Sequence, residues 1–321
     1  MRMHQDMPDI SILICTFNRA RYLEKVLLSL ERQTISQDRF EVILINDGSS
    51  DDTPCVADHF RDRLPLRYLY HDNAGLAASK NIGISEATSP IVLFMDDDDI
   101  AMPELLEEHI QVHHKYPDEN YAVLGYTELD KKIDDNPLME YVTKYGCFLF
   151  SYPSLQDGDI LDYKYFWGGR TSCKTGYLKR YGVFNPVFNF GCEDIELGYR
   201  LSLHNLKVVY HKKAKSIMIR LLSIDDFFRR LIKQGKSQYI LSKIHDTSEI
   251  KRWAEIDNAE EIWRDVAGVF EQLLNSARKL DLLVNTRIEE GLDIDDYTTQ
   301  LLHRSYWNAF NACKLKGINQ H

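Results

Sequence analysis

The sequence predicts an α/β fold in which a mostly parallel sheet is flanked by helices and followed by a C-terminal helical extension. Short apolar runs alternate with segments of helical periodicity through the first hundred residues, which is typical of a parallel sheet built from β-α-β units. From Ser223 onward the pattern is helical. We therefore predict one large domain over residues 1–222, with two halves that meet near residue 100, and a helical extension over residues 223–321.

Four apolar runs have the length and the β-branched or aromatic content of buried strands. Helical segments separate them, and the first of these repeats its apolar residues at the spacing of an amphipathic helix. Strand, helix and strand in succession imply right-handed crossovers between parallel strands. The predicted strands cover residues 10–15, 40–45, 66–70 and 91–95, and the predicted helices cover residues 20–32, 52–60 and 75–85.

The second half of the predicted domain is less regular. Residues 131–166 are rich in Tyr and Phe and are interrupted by prolines, so we predict an irregular excursion there and not a separate domain. The helical extension has Asp225 and Asp226 in its first turn, where negative charge suits the helix dipole. Further strands are predicted at residues 122–126, 171–173 and 207–210.

Composition limits the partners and the compartment. The formal net charge of −10 argues against nucleic acid as the principal partner, because phosphate binding needs a basic surface. The six cysteines include no C-x-x-C pair, which argues against structural zinc and suits free thiols in a reducing compartment. Residues 1–8 lack an apolar signal core, and no apolar stretch approaches the roughly 20 residues that span a bilayer. We expect a cytoplasmic protein, and peripheral contact with the inner face of a membrane stays open.

Four consecutive aspartates, Asp96 to Asp99, directly follow the predicted strand at residues 91–95. In an open α/β sheet, ligands bind just beyond the carboxyl ends of the strands. Like charges crowded there repel one another, and a hard cation such as Mg²⁺ or Mn²⁺ would relieve that repulsion. A solvated acidic turn is the alternative, but the position at a strand end favours a metal site.

Three other polar motifs follow strands or open helices. Asp47, after the second strand, either accepts a hydrogen bond from a ligand or caps the next helix. Small residues around Gly75 would let backbone N–H groups approach a phosphate, and Lys80 adds a positive charge one turn later. Glu193 and Asp194 lie at the start of a predicted helix. Either one of them serves as a general base, or both are acids placed there because negative charge suits the helix dipole. P-loop and G-x-G-x-x-G motifs are absent from the sequence.

Taken together, these motifs resemble those of family 2 glycosyltransferases with the GT-A fold, over about residues 10–230. Each motif alone is weak, whereas five in this order and at plausible spacing are specific. The matching segments are SILICTFNR at residues 11–19, NDGSSDDT at 46–53, NAGLAASKNIG at 73–83, DDDD at 96–99 and ED at 193–194.

The resemblance implies metal-assisted, inverting transfer of a sugar from a nucleotide-sugar, most often UDP-linked, to a hydroxyl group of a saccharide or glycoconjugate. Asp96 and Asp98 match the D-x-D pattern, so the implied Mn²⁺ or Mg²⁺ would bind Asp98 and Asp96, while Asp99 either assists or caps the next segment of chain. Asp47 would receive the uracil N–H, and Lys80 would lie near the ribose or diphosphate. The implied donor-binding residues are Thr16, Phe17, Asn18, Arg19, Asp47, Gly75, Lys80, Asp96 and Asp97.

On the acceptor side, the resemblance makes Asp194 the carboxylate that removes the hydroxyl proton, with Glu193 holding the acceptor. Trp167, Gly168 and Gly169 resemble an acceptor-side loop, in which Trp167 either stacks on a sugar ring or packs internally. The donor sugar, the acceptor and the oligomeric state are not readable from the sequence.

One departure from the family pattern concerns the third metal ligand. Many relatives carry a histidine shortly before the equivalent of Asp225, where this chain has the segment IMIR at residues 217–220. His211 lies earlier in the chain, either as the missing ligand or as an ordinary surface histidine. Arg220 is an alternative contact for the diphosphate.

Two other classes of function remain at the level of sequence. A nucleotidyltransferase or metal phosphohydrolase also places acidic clusters at strand ends. The absence of a Gly-rich nucleotide-binding loop near the N-terminus argues against the first, and the small number of candidate metal-binding histidines near the cluster argues against the second. A catalytically idle module that binds sugar nucleotides is the third class, and the intact acidic motifs argue against it.

Overall fold

The computed structural model describes residues 7–320, so most of the polar N-terminal segment considered above lies outside the described residues. Its strands belong to one twisted sheet. They are β1 (Ile10–Thr16), β2 (Phe40–Asp47), β3 (Leu66–His71), β4 (Ile91–Asp96), β5 (Asp99–Ala101), β6 (Tyr121–Leu129), β7 (Ile160–Leu161), β8 (Thr171–Lys174) and β9 (Lys207–Met218).

The helices lie between the strands and, in larger number, after them. They are α1 (Ala20–Leu30), α2 (Thr53–Phe60), α3 (Leu76–Glu86), α4 (Leu105–Lys115), α5 (Lys131–Asp134), α6 (Pro137–Glu140), α7 (Thr175–Tyr181), α8 (Glu193–Ser202), α9 (Ile224–Ile244), α10 (Ser248–Trp253), α11 (Ala259–Ala267), α12 (Phe270–Glu289) and α13 (Asp296–Ile318).

The sheet has the strand order β3-β2-β1-β4-β8-β6-β9-β5, and β7 pairs with β9. The first four strands pair in parallel. The long pairing of β6 with β9 is also parallel, whereas the antiparallel pairings of β5, β7 and β8 involve only two or three residues each. The prediction of a mostly parallel sheet flanked by helices is therefore confirmed.

Apolar periodicity explains the parallel half of the sheet. Every residue of β2 is buried, as expected for a central strand covered on both faces. On one side α1 packs its apolar stripe against β1 and β2, and the stripe consists of the predicted residues Leu23, Val26, Leu27 and Leu30. Because β1 pairs in parallel with both β2 and β4, the carboxyl ends of the three strands lie at the same edge of the sheet.

The last strand, β9, is much longer than the predicted run at residues 207–210. Its second half contains lysines and serine, which hide the strand pattern. It extends because it pairs with β6 along the whole length of β6, with a register shift between Gly125 and Tyr126. The end of β9 then pairs with β5, which contains Asp99.

The chain forms two compact units. The first unit contains the residues up to Asp130 together with Leu155–Asn189 and Glu193–Arg220, and it holds the whole sheet. The second unit contains the helical extension from Leu221 onward and also Lys131–Ser154 and Phe190–Cys192. The predicted irregular excursion is thus divided between the two units.

The second unit explains why part of that excursion is ordered. The Asn136 side chain caps α6 by accepting from the N–H groups of Leu138 and Met139. Tyr141, in a short π-helix after α6, packs with its ring centroid 5.2 Å from that of Tyr306 on α13. Contacts with a helix about 160 residues later in the chain are not visible in the local sequence pattern.

The first helix of the C-terminal extension, α9, is capped at its start. The Ser223 hydroxyl and the Asp226 carboxylate form a capping box at the start of α9. Among the described residues, no helix is both long enough and apolar enough to cross a membrane.

Two buried histidines of α4 share one serine hydroxyl of β8. His109 Nδ1 lies 2.8 Å and His113 Nε2 lies 2.9 Å from Ser172 Oγ. Burial lowers the pKa of His109 to about 3 and lowers the pKa of His113 well below its ordinary value. Both imidazoles are therefore neutral in the folded protein at neutral pH.

The two neutral histidines contribute stability that is lost as the pH falls from about 6.5 towards 3, whereas buried carboxyl groups whose pKa values are raised contribute in the opposite direction. In that range the unfolded chain binds protons on both histidines, whereas the folded chain does not. The loss is about 1.4 kcal/mol per pH unit for each histidine, and urea unfolding at pH 7, 6 and 5 measures it. Relative to the unaltered protein, His109→Asn should remove the share of this loss that His109 contributes, while the same change at the exposed His114 of the same helix should leave the pH dependence unaltered. Equal pH dependence in His109→Asn and the unaltered protein would contradict the expectation.

Candidate active site

The candidate site lies at the carboxyl ends of β1, β2 and β4. Strand β1 lies between β2 and β4, so the strand order reverses there, and ligands bind at such points in open α/β sheets. The three strands end at Thr16, Asp47 and Asp96 respectively. Two of these ends therefore carry a carboxylate.

Three arginines pair with the aspartate cluster, residues 96–99. Two of them, Arg19 and Arg220, contact its central residues. Arg19 Nη1 lies 2.6 Å from Asp97 Oδ1 and 3.4 Å from Asp98 Oδ2. Arg220 Nη1 also lies 3.4 Å from Asp98 Oδ2. Asp97 is therefore tightly paired and buried, whereas both ion pairs of Asp98 are long.

The third arginine, Arg170, joins the two ends of the cluster. Its Nη2 lies 3.0 Å from Asp96 Oδ2 and 3.3 Å from Asp99 Oδ2. Asp99 Oδ2 also accepts hydrogen bonds from Thr127 and Ser216, both at 3.2 Å. Asp99 is thus held inside the sheet, whereas the Asp96 side chain is 38% exposed and faces the site.

Burial and mutual repulsion set the protonation of the cluster. Burial raises the pKa of Asp97 to about 6 and that of Asp99 to about 7. The pKa of Asp98 is raised by burial and by the charge of Asp96, against the opposing effect of the arginines. A cation beside Asp98 would relieve this repulsion.

The residues present fit a divalent cation that is shared with a substrate. Among residues 7–320, no group of three or more His, Cys, Asp or Glu side chains forms a complete metal cage. Mg²⁺ commonly binds through one or two carboxylates together with substrate phosphates. Asp98 and Asp96 provide two such carboxylates, so the donor set suits that mode of binding.

Two glycines bring the aspartate cluster close to the acids of α8. Gly169 O accepts a hydrogen bond from Asp96 N at 3.2 Å, and Gly168 N donates to Asp194 Oδ2 at 3.0 Å. A Cβ atom on Gly169 would overlap the Asp96 carboxylate, and one on Gly168 would lie 2.5 Å from Lys80 Nζ. A side chain at either position would therefore force the Asp96 carboxylate or the Lys80 ammonium group to shift.

Asp194 lies in the first turn of α8, half-buried beside a buried ion pair. Ile195 N donates to Asp194 Oδ1 at 2.8 Å, in addition to the bond from Gly168. Lys80 Nζ lies 3.2 Å from Glu193 Oε1. Burial and the charge of Glu193 raise the pKa of Asp194 to about 6, against the lowering effect of Lys80 and the two backbone donors.

The turn after β1 is fixed by the loop after β2. Asn18 has a left-handed backbone with φ 55°. Its N–H donates to Ser49 Oγ at 2.9 Å, and its Oδ1 accepts from Ser50 N at 2.8 Å. These bonds place Arg19 against the aspartates and leave the Phe17 ring 46% exposed.

Asp47 organises the loop before α3. Its carboxylate accepts hydrogen bonds from Ala74 N at 2.8 Å and from Gly75 N at 3.1 Å. Gly75 has φ +89°, in the left-handed region that favours glycine. Asp47 does not cap α2, the next helix, because its carboxylate bonds the loop before α3. Contact with a nucleobase stays a prediction.

The structure does not bring His211 to the aspartates, so the prediction of a metal ligand there is corrected. His211 Nε2 lies 2.6 Å from Glu108 Oε2, and its Nδ1 lies 3.4 Å from Asp157 Oδ1. On β9, His211 pairs with Gly125 of β6, and Met218 pairs with Leu129, four residues further along β6. His211 is therefore roughly 13 Å of strand away from the end that meets Asp99.

The loop at Trp167 has internal contacts and ends beside a residue that the sequence patterns did not single out. The Trp167 indole N–H donates to Lys164 O at 2.8 Å, and its ring packs 5.6 Å from that of Tyr165. Stacking of Trp167 on a sugar ring stays a prediction. Arg170 was not among the predicted site residues, and its position directly after Gly168 and Gly169 is the signal that would have pointed to it.

With the geometry established, comparisons with known proteins identify the family. Residues 11–172, half of the chain, match the model described as glycosyl transferase family 2. The chain belongs to this family, as predicted.

Curated relatives are named glycosyltransferases. The chain is 30% identical over 234 residues to validoxylamine A glucosyltransferase of Streptomyces hygroscopicus subsp. jinggangensis, a match that covers 66% of this chain and 55% of that protein. A Campylobacter jejuni β-1,3-glucosyltransferase is 34% identical over 130 residues, 39% of this chain and 40% of that protein. The chain thus spans about half the length of the curated relatives it matches.

Solved structures share the fold at low sequence identity. The mannosyltransferase PcManGT of Pyrobaculum calidifontis, in complex with GDP-Man and Mn²⁺, has a TM-score of 0.59 and 15% identity, with 94% of this chain and 86% of that chain covered. S. aureus TarS in complex with UDP has a TM-score of 0.54 and 15% identity, with 96% and 90% covered. The predicted GT-A fold is confirmed.

Proposed function

We propose that this chain is an inverting glycosyltransferase that moves a sugar from a nucleotide-sugar, UDP-linked by preference, to a hydroxyl group of a saccharide or glycoconjugate. The observation that carries the proposal is the pair Gly168–Gly169. Gly169 O accepts a hydrogen bond from the backbone N–H of Asp96, the first aspartate of the D-x-D pattern, and Gly168 N donates one to the Asp194 carboxylate. Two adjacent residues of one loop thus contact both acids. A donor held at one carboxylate and an acceptor held at the other would therefore be neighbours.

The donor side of the proposed site is formed by the ends of β1, β2 and β4. Arg19 and Arg220 flank Asp98 and offer positive charge to a diphosphate. Mg²⁺ or Mn²⁺, bound by Asp98 and Asp96, would supply neutralisation of the charge that develops on the departing nucleotide. UDP in a TarS complex and GDP-Man in the PcManGT complex support a nucleoside diphosphate as the leaving group.

The acceptor side is formed by the start of α8 and the loop at Trp167. Asp194 takes the proton of the acceptor hydroxyl, and the resulting oxygen nucleophile attacks the anomeric carbon on the face opposite the diphosphate. The bond between that carbon and the diphosphate breaks, and the configuration inverts. Glu193 Oε2 is buried without a hydrogen-bond partner among the described residues, so it offers an acceptor site for a sugar hydroxyl.

A nucleotide titration tests the donor side. We expect UDP to bind with an affinity that increases in the presence of Mn²⁺, and Asp98→Ala to weaken binding by about tenfold or more, because a charged contact worth roughly 1.5 kcal/mol or more is lost. Calorimetry with UDP, GDP and TDP, with and without Mn²⁺, measures this. Asp58→Ala is the matched control, since Asp58 lies exposed on α2.

Each outcome has a separate meaning. Preference for GDP or TDP would keep the fold assignment and change the donor. Equal affinity with and without Mn²⁺ would contradict the metal assignment, and the absence of binding by any nucleotide would contradict the proposed function and favour an idle module.

A further inference from the structure

The ammonium group of Lys80 is buried beside the acids of the site. The residue is 4% exposed. Its Nζ lies 3.2 Å from Glu193 Oε1 and 4.9 Å from the centroid of the buried Phe184 ring. Gly168 lies against it so closely that a Cβ atom there would be 2.5 Å from Nζ. A side chain enclosed in this way has little freedom to reach a diphosphate.

Lys80 is also close to the proposed base. The same Cβ position on Gly168 lies 2.5 Å from Lys80 Nζ and 3.2 Å from Asp194 Cβ. The distance from Lys80 Nζ to Asp194 Cβ therefore cannot exceed the sum of these two lengths, and at this proximity the charge of Lys80 acts to lower the pKa of Asp194. One ammonium group therefore lies between two carboxylates of α8.

We propose that Lys80 is a positioning residue that fixes Glu193 and keeps Asp194 ionised for proton removal, in place of the predicted role beside the ribose or diphosphate. The inference rests on the proposed function, in which Asp194 is the base. Without Lys80, two adjacent carboxylates would share a buried site and one of them would hold a proton.

The charges around the pair are consistent with this role. Lys80 is faced by Glu193 and Asp194 from α8, by Asp96 from β4 and by the Cys15 thiol from β1. Burial alone would lower the pKa of Lys80, and these neighbours raise it above its ordinary value. The ammonium group therefore stays charged throughout the range in which Asp194 titrates.

The experiment is a pH titration of Asp194 itself. In protein labelled with ¹³C at carboxyl carbons, the Asp194 signal is identified by its absence in Asp194→Asn. We expect its midpoint near pH 6 in the unaltered protein and about one pH unit or more higher in Lys80→Met. Lys80→Arg should restore the midpoint, and Lys25→Met, at an exposed position on α1, should leave it unchanged.

A second pair of variants covers the case in which Lys80→Met does not fold because Glu193 is left buried and unpaired. Glu193→Gln and Lys80→Met/Glu193→Gln differ only in the lysine. The Asp194 midpoint should be higher in the double variant than in Glu193→Gln, and an equal midpoint in the two would overturn the proposal.

The outcomes separate this inference from the proposed function. The carbon signal reports ionisation whatever reaction the site performs, so normal transfer by Asp194→Asn would end the base assignment without deciding the role of Lys80. An unmoved midpoint in Lys80→Met, together with UDP affinity at least about tenfold weaker, would show that Lys80 contacts the donor and would overturn the inference.

Discussion

Asp194→Asn is expected to lower the rate of sugar transfer by about 10²- to 10⁴-fold, the usual contribution of a general base. The amide cannot accept the proton of the acceptor hydroxyl. Donor affinity should change little, since the proposed donor contacts are at Asp96 and Asp98. Transfer from a UDP-sugar to an acceptor, measured beside calorimetric binding of UDP, separates the two effects.

The substituted amide side chain should keep most of the position of the carboxylate it replaces. The Asp194 carboxylate accepts one hydrogen bond from Gly168 N and one from Ile195 N. An amide oxygen can accept both only in a less favourable geometry, because the amide nitrogen is a donor. A small loss of stability is therefore expected. Asp58→Asn is the control for a charge change in the same unit, and unaltered transfer by Asp194→Asn would remove this residue from the mechanism.

The same carboxylate gives transfer a defined pH dependence. Because burial and Glu193 raise the pKa of Asp194 to about 6, the base is protonated below that value and ionised above it. The rate should therefore rise about tenfold per pH unit below pH 6 and become level above it. A rate that falls as pH rises through 6 would contradict the assignment.

The parallel half of the fold was predictable because its signals are local. Burial on both faces makes β1, β2 and β4 continuous apolar runs, and α1 repeats its apolar residues at helical spacing. Strand β9 was underestimated because its polar second half is stabilised by pairing with β6 and not by its own composition. Pairing between distant strands cannot be read from either strand alone.

In the candidate site, too, features with a local sequence signal were predicted and features that depend on distant residues were not. The acidic motifs were found because they follow strands or open a helix, and these positions are visible locally. Their partners were not predicted: Arg170 compensates Asp96 from 74 residues away, and Lys80 pairs with Glu193 from 113 residues away. Repulsion among four aspartates suggested a cation, whereas arginines from three parts of the chain already balance part of that charge.

Gly168 and Gly169 are a case in which sequence resemblance and structure give different roles. The resemblance places them in an acceptor-binding loop. In the structure their backbone groups bond Asp194 and Asp96, and their lack of side chains makes room for Lys80 and the Asp96 carboxylate. Contact with an acceptor stays a prediction, while the close approach of Lys80 and the Asp96 carboxylate to these glycines follows from the geometry.

Gly169→Ala is accordingly expected to cause a large loss of function at a residue without a side chain. The added methyl group would overlap all three terminal atoms of the Asp96 carboxylate, so Asp96 must move. That movement breaks its ion pair with Arg170 at 3.0 Å and disturbs its backbone bond to Gly169 O. A displacement of about 1 Å in a catalytic arrangement costs on the order of 100-fold in rate.

Gly176→Ala is the matched control for this change. Gly176 lies in α7, and a Cβ atom there would have no heavy atom within 4 Å. Alanine favours a helix over glycine, so this variant should keep full activity and equal or slightly greater stability. UDP affinity and transfer rate are measured for both variants, with circular dichroism to show that each is folded. If Gly169→Ala binds UDP and transfers sugar as the unaltered protein does, Asp96 is not held where the structure has it, and its proposed roles in binding donor and metal fail together.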